Sequence, residues 1–148
     1  MKKQATLRER ALRLLARREH SRAELGRKLA AHVGPADDLE ALLEDLSRRE
    51  QLSDERYAEA RAHVMSRKFG AARIAHELRA KGLDKELAER TAAAARATEV
   101  ERARAVWLRK FRTAPATREE RARQMRFLQA RGFSFDAIRA VVREADED

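Results

Sequence analysis

LRAKGL at residues 78–83 and LQARGF at residues 128–133 are nearly the same six letters written fifty residues apart. In each, a helix-compatible run ends at a glycine, Gly82 or Gly132, and glycine enters the left-handed conformation without a Cβ clash. Each word therefore predicts a helix stop. With the glycine one residue past the C-cap, Leu78 and Leu83, like Leu128 and Phe133, fall at the two positions whose side chains meet across a Schellman turn. Lys81 and Arg131 stand beside the carbonyl end of the helix dipole, where a cation contributes about 0.3–1 kcal/mol. Asp84 and Ser134 follow at once as N-caps of a new helix.

Outward from these words, apolar residues recur at helical spacing nearly throughout, and no stretch alternates as a strand does. Leu7, Ala11, Leu14 and Leu15 predict a first helix, and Leu25 and Leu29 behind Ser21 a second. Leu39, Leu42, Leu43 and Leu46 predict a third that starts between Pro35 and Asp38. Ser53 opens a fourth with Tyr57, Ala60, Val64 and Met65; Gly70 interrupts before a fifth with Ile74 and Leu78; Asp84 to Arg96 form an alanine-rich sixth. A seventh carries Val100, Ala103, Val106, Trp107 and Phe111, an eighth Met125 and Leu128, and a ninth Ile138, Val141, Val142 and Ala145, with residues 146–148 expected to fray. SRAE (21–24), TEVE (98–101) and TREE (117–120) each have the form of a capping box.

Leu29, Leu78 and Leu128 take equivalent places 49 and 50 residues apart, so the period is a module of three helices. Tetratricopeptide and ankyrin periods, in the low thirties, do not fit. The expected fold class is all-α: an elongated tandem array of three three-helix modules, at 1–52, 53–97 and 98–148, each with little core of its own and gaining stability from its neighbours.

Charged residues are 40% of the 148, aromatic residues 5%, and the net charge is +9. Such a chain favours helices packed in a row over one thick core, and an anionic partner. The charge comes in blocks: +7 over residues 1–35, −6 over 36–60, +5 over 61–81, −1 over 82–95, +7 over 96–131 and −3 over 132–148. This alternation suits modules that meet something anionic and something basic in turn. Cysteine is absent, and the amino terminus has no apolar run of the signal or membrane kind, so a cytoplasmic protein with no membrane contact is expected.

The five glycines are too scattered for a dinucleotide fingerprint or a phosphate loop. His20, His32, His63 and His76 are isolated from one another and read as surface or packing residues, not metal ligands. Asp54 and Glu55 are adjacent, so on a helix they point apart and serve its N-terminus better than an acid–base pair. No enzyme and no cofactor are expected. What remains is arginine and lysine, whose natural use is phosphate contact. On charge alone the contact candidates are Arg61, Arg67, Lys68, Arg73, Arg79, Lys81, Arg109, Lys110, Arg112, Arg121, Arg126 and Arg131. Few rings interleave with them, so no base-stacking platform is expected; Tyr57, Phe69, Phe111 and Phe127 are the rings to inspect, with Tyr57, Phe111 and Trp107 read as core.

EHSRAELGRKL (19–29), LSDERYAEA (52–60), GAARIAHELRAKGL (70–83) and QMRFLQARGF (124–133), in this order, resemble the RecX family of bacterial regulators of the RecA recombinase. Tyr57 stands where many relatives have phenylalanine. The resemblance implies three three-helix modules and a monomeric, non-catalytic protein. It also implies the RecA filament on DNA as partner, with inhibition of ATPase, strand exchange and coprotease activity through limited filament growth or hastened disassembly. Some members bind DNA directly. The alternative is a general basic helical DNA-binding protein that acts without RecA.

Overall fold

Both predicted stops form. In a computed structural model that describes residues 4–147, Gly82 and Gly132 take φ of +88° and +85°. Leu83 N–H donates to Leu78 O at 3.2 Å and Gly82 N–H to Arg79 O at 3.0 Å, the two bonds of a Schellman turn. Phe133 to Leu128 and Gly132 to Gln129, at 3.3 and 2.9 Å, repeat the pattern. A third turn of this kind has no glycine: Gln51 N–H donates to Leu46 O at 2.9 Å and Glu50, at φ +60°, takes the left-handed place. Glu50→Gly is expected to raise stability by about 1 kcal/mol, read as an increased urea midpoint, because the left-handed region costs a side-chain residue about 1–2 kcal/mol.

Among the described residues the chain forms nine helices and no strand: α1 (Leu7–Arg17), α2 (Arg22–Ala30), α3 (Leu39–Arg48), α4 (Asp54–Met65), α5 (Ala71–Ala80), α6 (Lys85–Arg96), α7 (Glu99–Lys110), α8 (Arg118–Ala130) and α9 (Phe135–Glu147). Helix α9 runs on where fraying was expected, and Asp148 lies outside the described residues. Each set of three helices has its own core. Leu25, Leu29, Leu43 and Leu46 fill the first, Tyr57, Ile74, Leu78 and Leu87 the second, and Trp107, Leu128, Phe133, Ile138 and Val141 the third. Leu29, Leu78 and Leu128 are all 0% exposed, as their common place in the repeat requires.

The capping signals are met unevenly. Ser53, Asp84 and Ser134 cap as expected. Ser21 accepts the Glu24 amide at 3.1 Å, but the Glu24 carboxylate turns to Arg18 at 2.6 Å, since a guanidinium outbids a neutral amide. Thr117 accepts the Glu120 amide, while the Glu120 carboxylate takes Ala116 N–H, one residue early. TEVE forms no box: α6 turns so directly into α7 that Thr98 sits at φ −114°, ψ 14°, outside the extended N-cap conformation. Helix α3 starts at Leu39 behind the N-cap Asp38, at the late end of the expected window, because Gly34 N–H is taken by Asp37 in a turn. Thr6 and Glu9 form a complete box at the start of α1, outside the three expected words.

Adjacent modules join by one repeated set of contacts. Ser21, the N-cap of α2, donates its hydroxyl to Lys81 O at 3.1 Å, and Arg22 N–H donates to Asp54 Oδ1 at 2.8 Å. One module along, Gly70, the N-cap of α5, donates N–H to Arg131 O at 2.8 Å, and Ala71 N–H donates to Glu99 Oε1 at 2.7 Å. Asp54 and Glu99 are the first residues of α4 and α7, so each module's second helix starts on a carbonyl and a carboxylate of the next. The glycines complete the fit. A Cβ on Gly82 would stand 2.5 Å from Ala23 Cβ, and one on Gly132 would stand 2.5 Å from Arg73 N. Among the described residues no hydrogen bond or ion pair links α1–α3 to α7–α9, so the modules meet in sequence order as a tandem array does.

His20, 2% exposed, is fixed at the first joint: Lys28 Nζ donates to Nε2 at 3.1 Å, which leaves Nδ1–H to donate to Arg18 O at 3.0 Å. Burial pushes His20 below its ordinary 6.5, and Arg18 holds Glu24 down to about 2 from 4.5. Both groups bind fewer protons folded than unfolded, so both favour the fold at high pH. Stability is expected to fall in acid first just below pH 6.5, through His20, and again from 4.5 toward 2, through Glu24. Thermal melting of His20→Gln beside the parent checks the first step: between about pH 7 and about pH 5 the variant's Tm stays level while the parent's declines.

Candidate nucleic-acid interface

The joint between the second and third modules collects cations and rings. Phe69 lies just before the N-cap of α5, and Arg73 follows it by four residues; Phe127 and Arg131 have the same spacing at the end of α8. Arg73 lies over the Phe69 ring at 5.0 Å. Arg131 lies between two rings, 5.6 Å from Phe69 and 4.9 Å from Phe127. Lys110, from the end of α7, sits 5.6 Å over Phe127, which meets Phe111 edge-on at 5.4 Å. Together they form a ladder in the order Arg73, Phe69, Arg131, Phe127, Lys110. Each exposed cation–ring contact is worth about 0.5–1 kcal/mol. Their larger effect is to hold side chains that otherwise lose about 2 kcal/mol of rotamer freedom when ordered by a ligand.

Two of the few rings expected among the cations, Phe69 and Phe127, do interleave with them. Phe69, Phe111 and Phe127 are half-buried, and cations lie over Phe69 and Phe127, so the two rings brace cations rather than offer open platforms to bases. The spacing of each arginine four residues after a phenylalanine was visible in the sequence; the reach of Arg131 across the joint to Phe69 was not.

Of the twelve cations chosen on charge, Arg73, Lys110 and Arg131 come together here. Arg61 pairs with Glu77 at 2.9 Å and Arg121 with Asp146, so each already has an acid of its own module as a partner. Arg67, Lys68, Arg79, Lys81, Arg109, Arg112 and Arg126 form no ion pair with a described carboxylate, and they are spread over the second and third modules. Lys81 and Arg61 share a cleft with Arg18, Glu24 and Tyr57 at the first joint, apart from the ladder.

The first module differs. Arg8 pairs with Asp45 at 2.6 Å, Arg22 with Glu40 at 3.2 Å and Glu44 at 3.0 Å, and Arg48 and Arg49 with Asp45 at 3.3 and 3.0 Å. Arg8 and Arg22 of the +7 block are therefore held by acids of the −6 block that follows, which ties α1 and α2 to α3, while Arg48 and Arg49 pair within the −6 block itself. Two further charged residues carry structure. Arg102 donates to Ser66 O at 2.9 Å and to Phe69 O and Ala95 O at 2.6 Å each, which ties the ends of α4 and α6 to α7; burial pulls its guanidinium below its ordinary value. Glu99, 4% exposed, accepts Ser134 N–H at 3.3 Å as well as Ala71 N–H. Neither role was legible, because the partners are backbone groups distant in sequence.

Trp107 is core, with its Nε1–H on Gln124 Oε1 at 2.8 Å. Among the described residues no group of three histidine or acidic side chains could hold a metal ion, and no helix is long and apolar enough to cross a membrane.

Models of the RecX family match along the chain in order: the first three-helix domain at residues 8–46, the second at 53–91 and the third at 97–142. The regulatory protein RecX of Leptothrix cholodnii is 49% identical over 145 residues, 98% of this chain and 92% of its own length. That of Herminiimonas arsenicoxydans is 44% identical over 147 residues, 99% of this chain and 97% of its own. In fold, the crystal structure of RecX from Lactobacillus salivarius superposes with a TM-score of 0.82 over 96% of each chain, at 23% identity. With three domains matched in register and relatives aligned over nearly their full length, this chain belongs to the RecX family of regulatory proteins.

Proposed function

We propose that this protein binds RecA filaments assembled on DNA and inhibits their ATPase, strand-exchange and coprotease activities by occupancy, limiting filament growth or hastening disassembly. Membership of the RecX family across three successive domains carries the reading. The molecule works as a monomer in the cytoplasm, with no catalytic step and no cofactor. Three modules in series present successive surfaces to a repeating target, and linked weak contacts add through an effective concentration of about millimolar order. The cations of the second and third modules, centred on Arg73, Lys110 and Arg131, meet DNA phosphate. The first module, whose Arg8 and Arg22 are held by acids of α3, meets protein.

The ladder also favours a second reading, a basic helical protein that binds DNA without RecA. Co-sedimentation with RecA filaments in the presence of a large excess of free single-stranded DNA separates the two. Retention on the filament supports the first reading. Loss to the competitor, with affinity falling by about 0.7 log units per phosphate contact for each tenfold rise in salt, supports the second.

A further inference from the structure

The ladder is built from two modules, so its spacing depends on the joint beneath it. Arg73 belongs to α5, and Arg131 closes α8; they share the Phe69 ring at 5.0 and 5.6 Å. Under them, Gly132 leaves room for the Arg73 backbone, and the Arg73 guanidinium donates to Ala130 O at 3.3 Å. Glu99 is the group that locks this arrangement. One carboxylate oxygen takes Ala71 N–H from the second module at 2.7 Å, and the other takes Ser134 N–H from the third at 3.3 Å. The first joint has the same acid–amide bond, Asp54 to Arg22 N–H at 2.8 Å, but no ladder above it.

We propose that Glu99 is a positioning residue for anion binding: it sets the spacing of Arg73 and Arg131 so that both reach one phosphate backbone. The proposal rests on the reading of the ladder as a phosphate contact. It carries a sign that charge alone does not. Removing or shortening an acid near a cationic surface leaves or strengthens polyanion binding if electrostatics act through net charge, whereas here it weakens binding.

The test uses the full chain and a fluorescently labelled single-stranded oligothymidylate, followed by anisotropy over a salt series. Glu99→Asp keeps the charge but is too short to span both amides. Binding is expected to weaken about fivefold near 0.1 M salt and the salt slope to fall by about 0.7, the share of one phosphate contact on a single strand. Asp54→Asn, which loosens the equivalent bond at the first joint, leaves affinity and slope within about twofold of the parent. Hydrogen exchange at Ala71 and Ser134 amides, free of any DNA, reports the joint itself and rises in Glu99→Asp. A folded Glu99→Asp that binds with the parent's affinity and slope overturns the proposal. Failure of the parent to bind the oligonucleotide at all overturns the phosphate reading and the proposal with it, and unchanged exchange at both amides removes Glu99 from the joint. If Glu99→Asp does not fold, Glu99→Gln is measured in its place, with tighter binding as the contradicting result.

Discussion

Gly132→Ala is expected to destabilise the protein by about 2–5 kcal/mol, an effect beyond what a helix stop alone explains. The left-handed conformation, φ +85°, accounts for about 1–2 kcal/mol once a Cβ is present. The remainder comes from packing between modules: the new Cβ would lie 2.5 Å from Arg73 N, in a backbone that cannot withdraw without breaking the Gly70 to Arg131 bond. Overpacking of this kind costs about 1–3 kcal/mol. Urea unfolding of the variant beside the parent reads the loss. Gly26→Ala is the internal control, since Gly26 lies inside α2 with Leu43 Cδ1 at an ordinary 3.4 Å, and there alanine is expected to stabilise by about 0.5–1 kcal/mol. Equal, small losses at both glycines would mean that the joint is soft.

Replacing Arg73, Lys110 and Arg131 together with glutamine is expected to weaken binding to single-stranded DNA about 100-fold near 0.1 M salt and to lower the salt slope by about 2, because three phosphate contacts are lost at about 0.7 each. The rings hold these cations in place before any ligand arrives, so their ordering cost is already met. Arg10, Arg13 and Arg17, which line one open cleft of the first module, provide the matched control. Their replacement by glutamine removes the same charge and is expected to change affinity by no more than about threefold. Comparable losses in the two triple variants would mean that binding follows net charge and not the ladder.

The helices were legible because their signals are local. The Schellman turns at Gly82 and Gly132 and the caps at Ser53, Asp84 and Ser134 rest on residues within one or two turns of one another, and the equivalence of Leu29, Leu78 and Leu128 on the recurrence of such local words along the chain. The glycines illustrate where such reading stops. Sequence justified them as helix ends, yet the same positions are where Ala23 and Arg73 of the preceding module approach, a contact 59 residues away in each case. Glu99 looked like the second letter of a capping box and is instead a buried bridge between two modules. Arg102 looked like one arginine among many and is instead bound to three backbone carbonyls. Of the twelve candidate cations, charge alone could not separate Arg61 and Arg121, paired at home, from Arg73, Lys110 and Arg131, which the second joint gathers.

The role assigned to the whole molecule is most directly tested by the rate of ATP hydrolysis by RecA on single-stranded DNA, with this protein titrated far below both the RecA concentration and the amount that would coat the DNA. A filament regulator lowers hydrolysis at these substoichiometric levels, since each bound molecule halts or shortens a filament of many protomers. Hydrolysis that stays unchanged until the protein saturates the DNA, and that extra DNA restores, would contradict the account and leave a basic DNA-binding protein in its place.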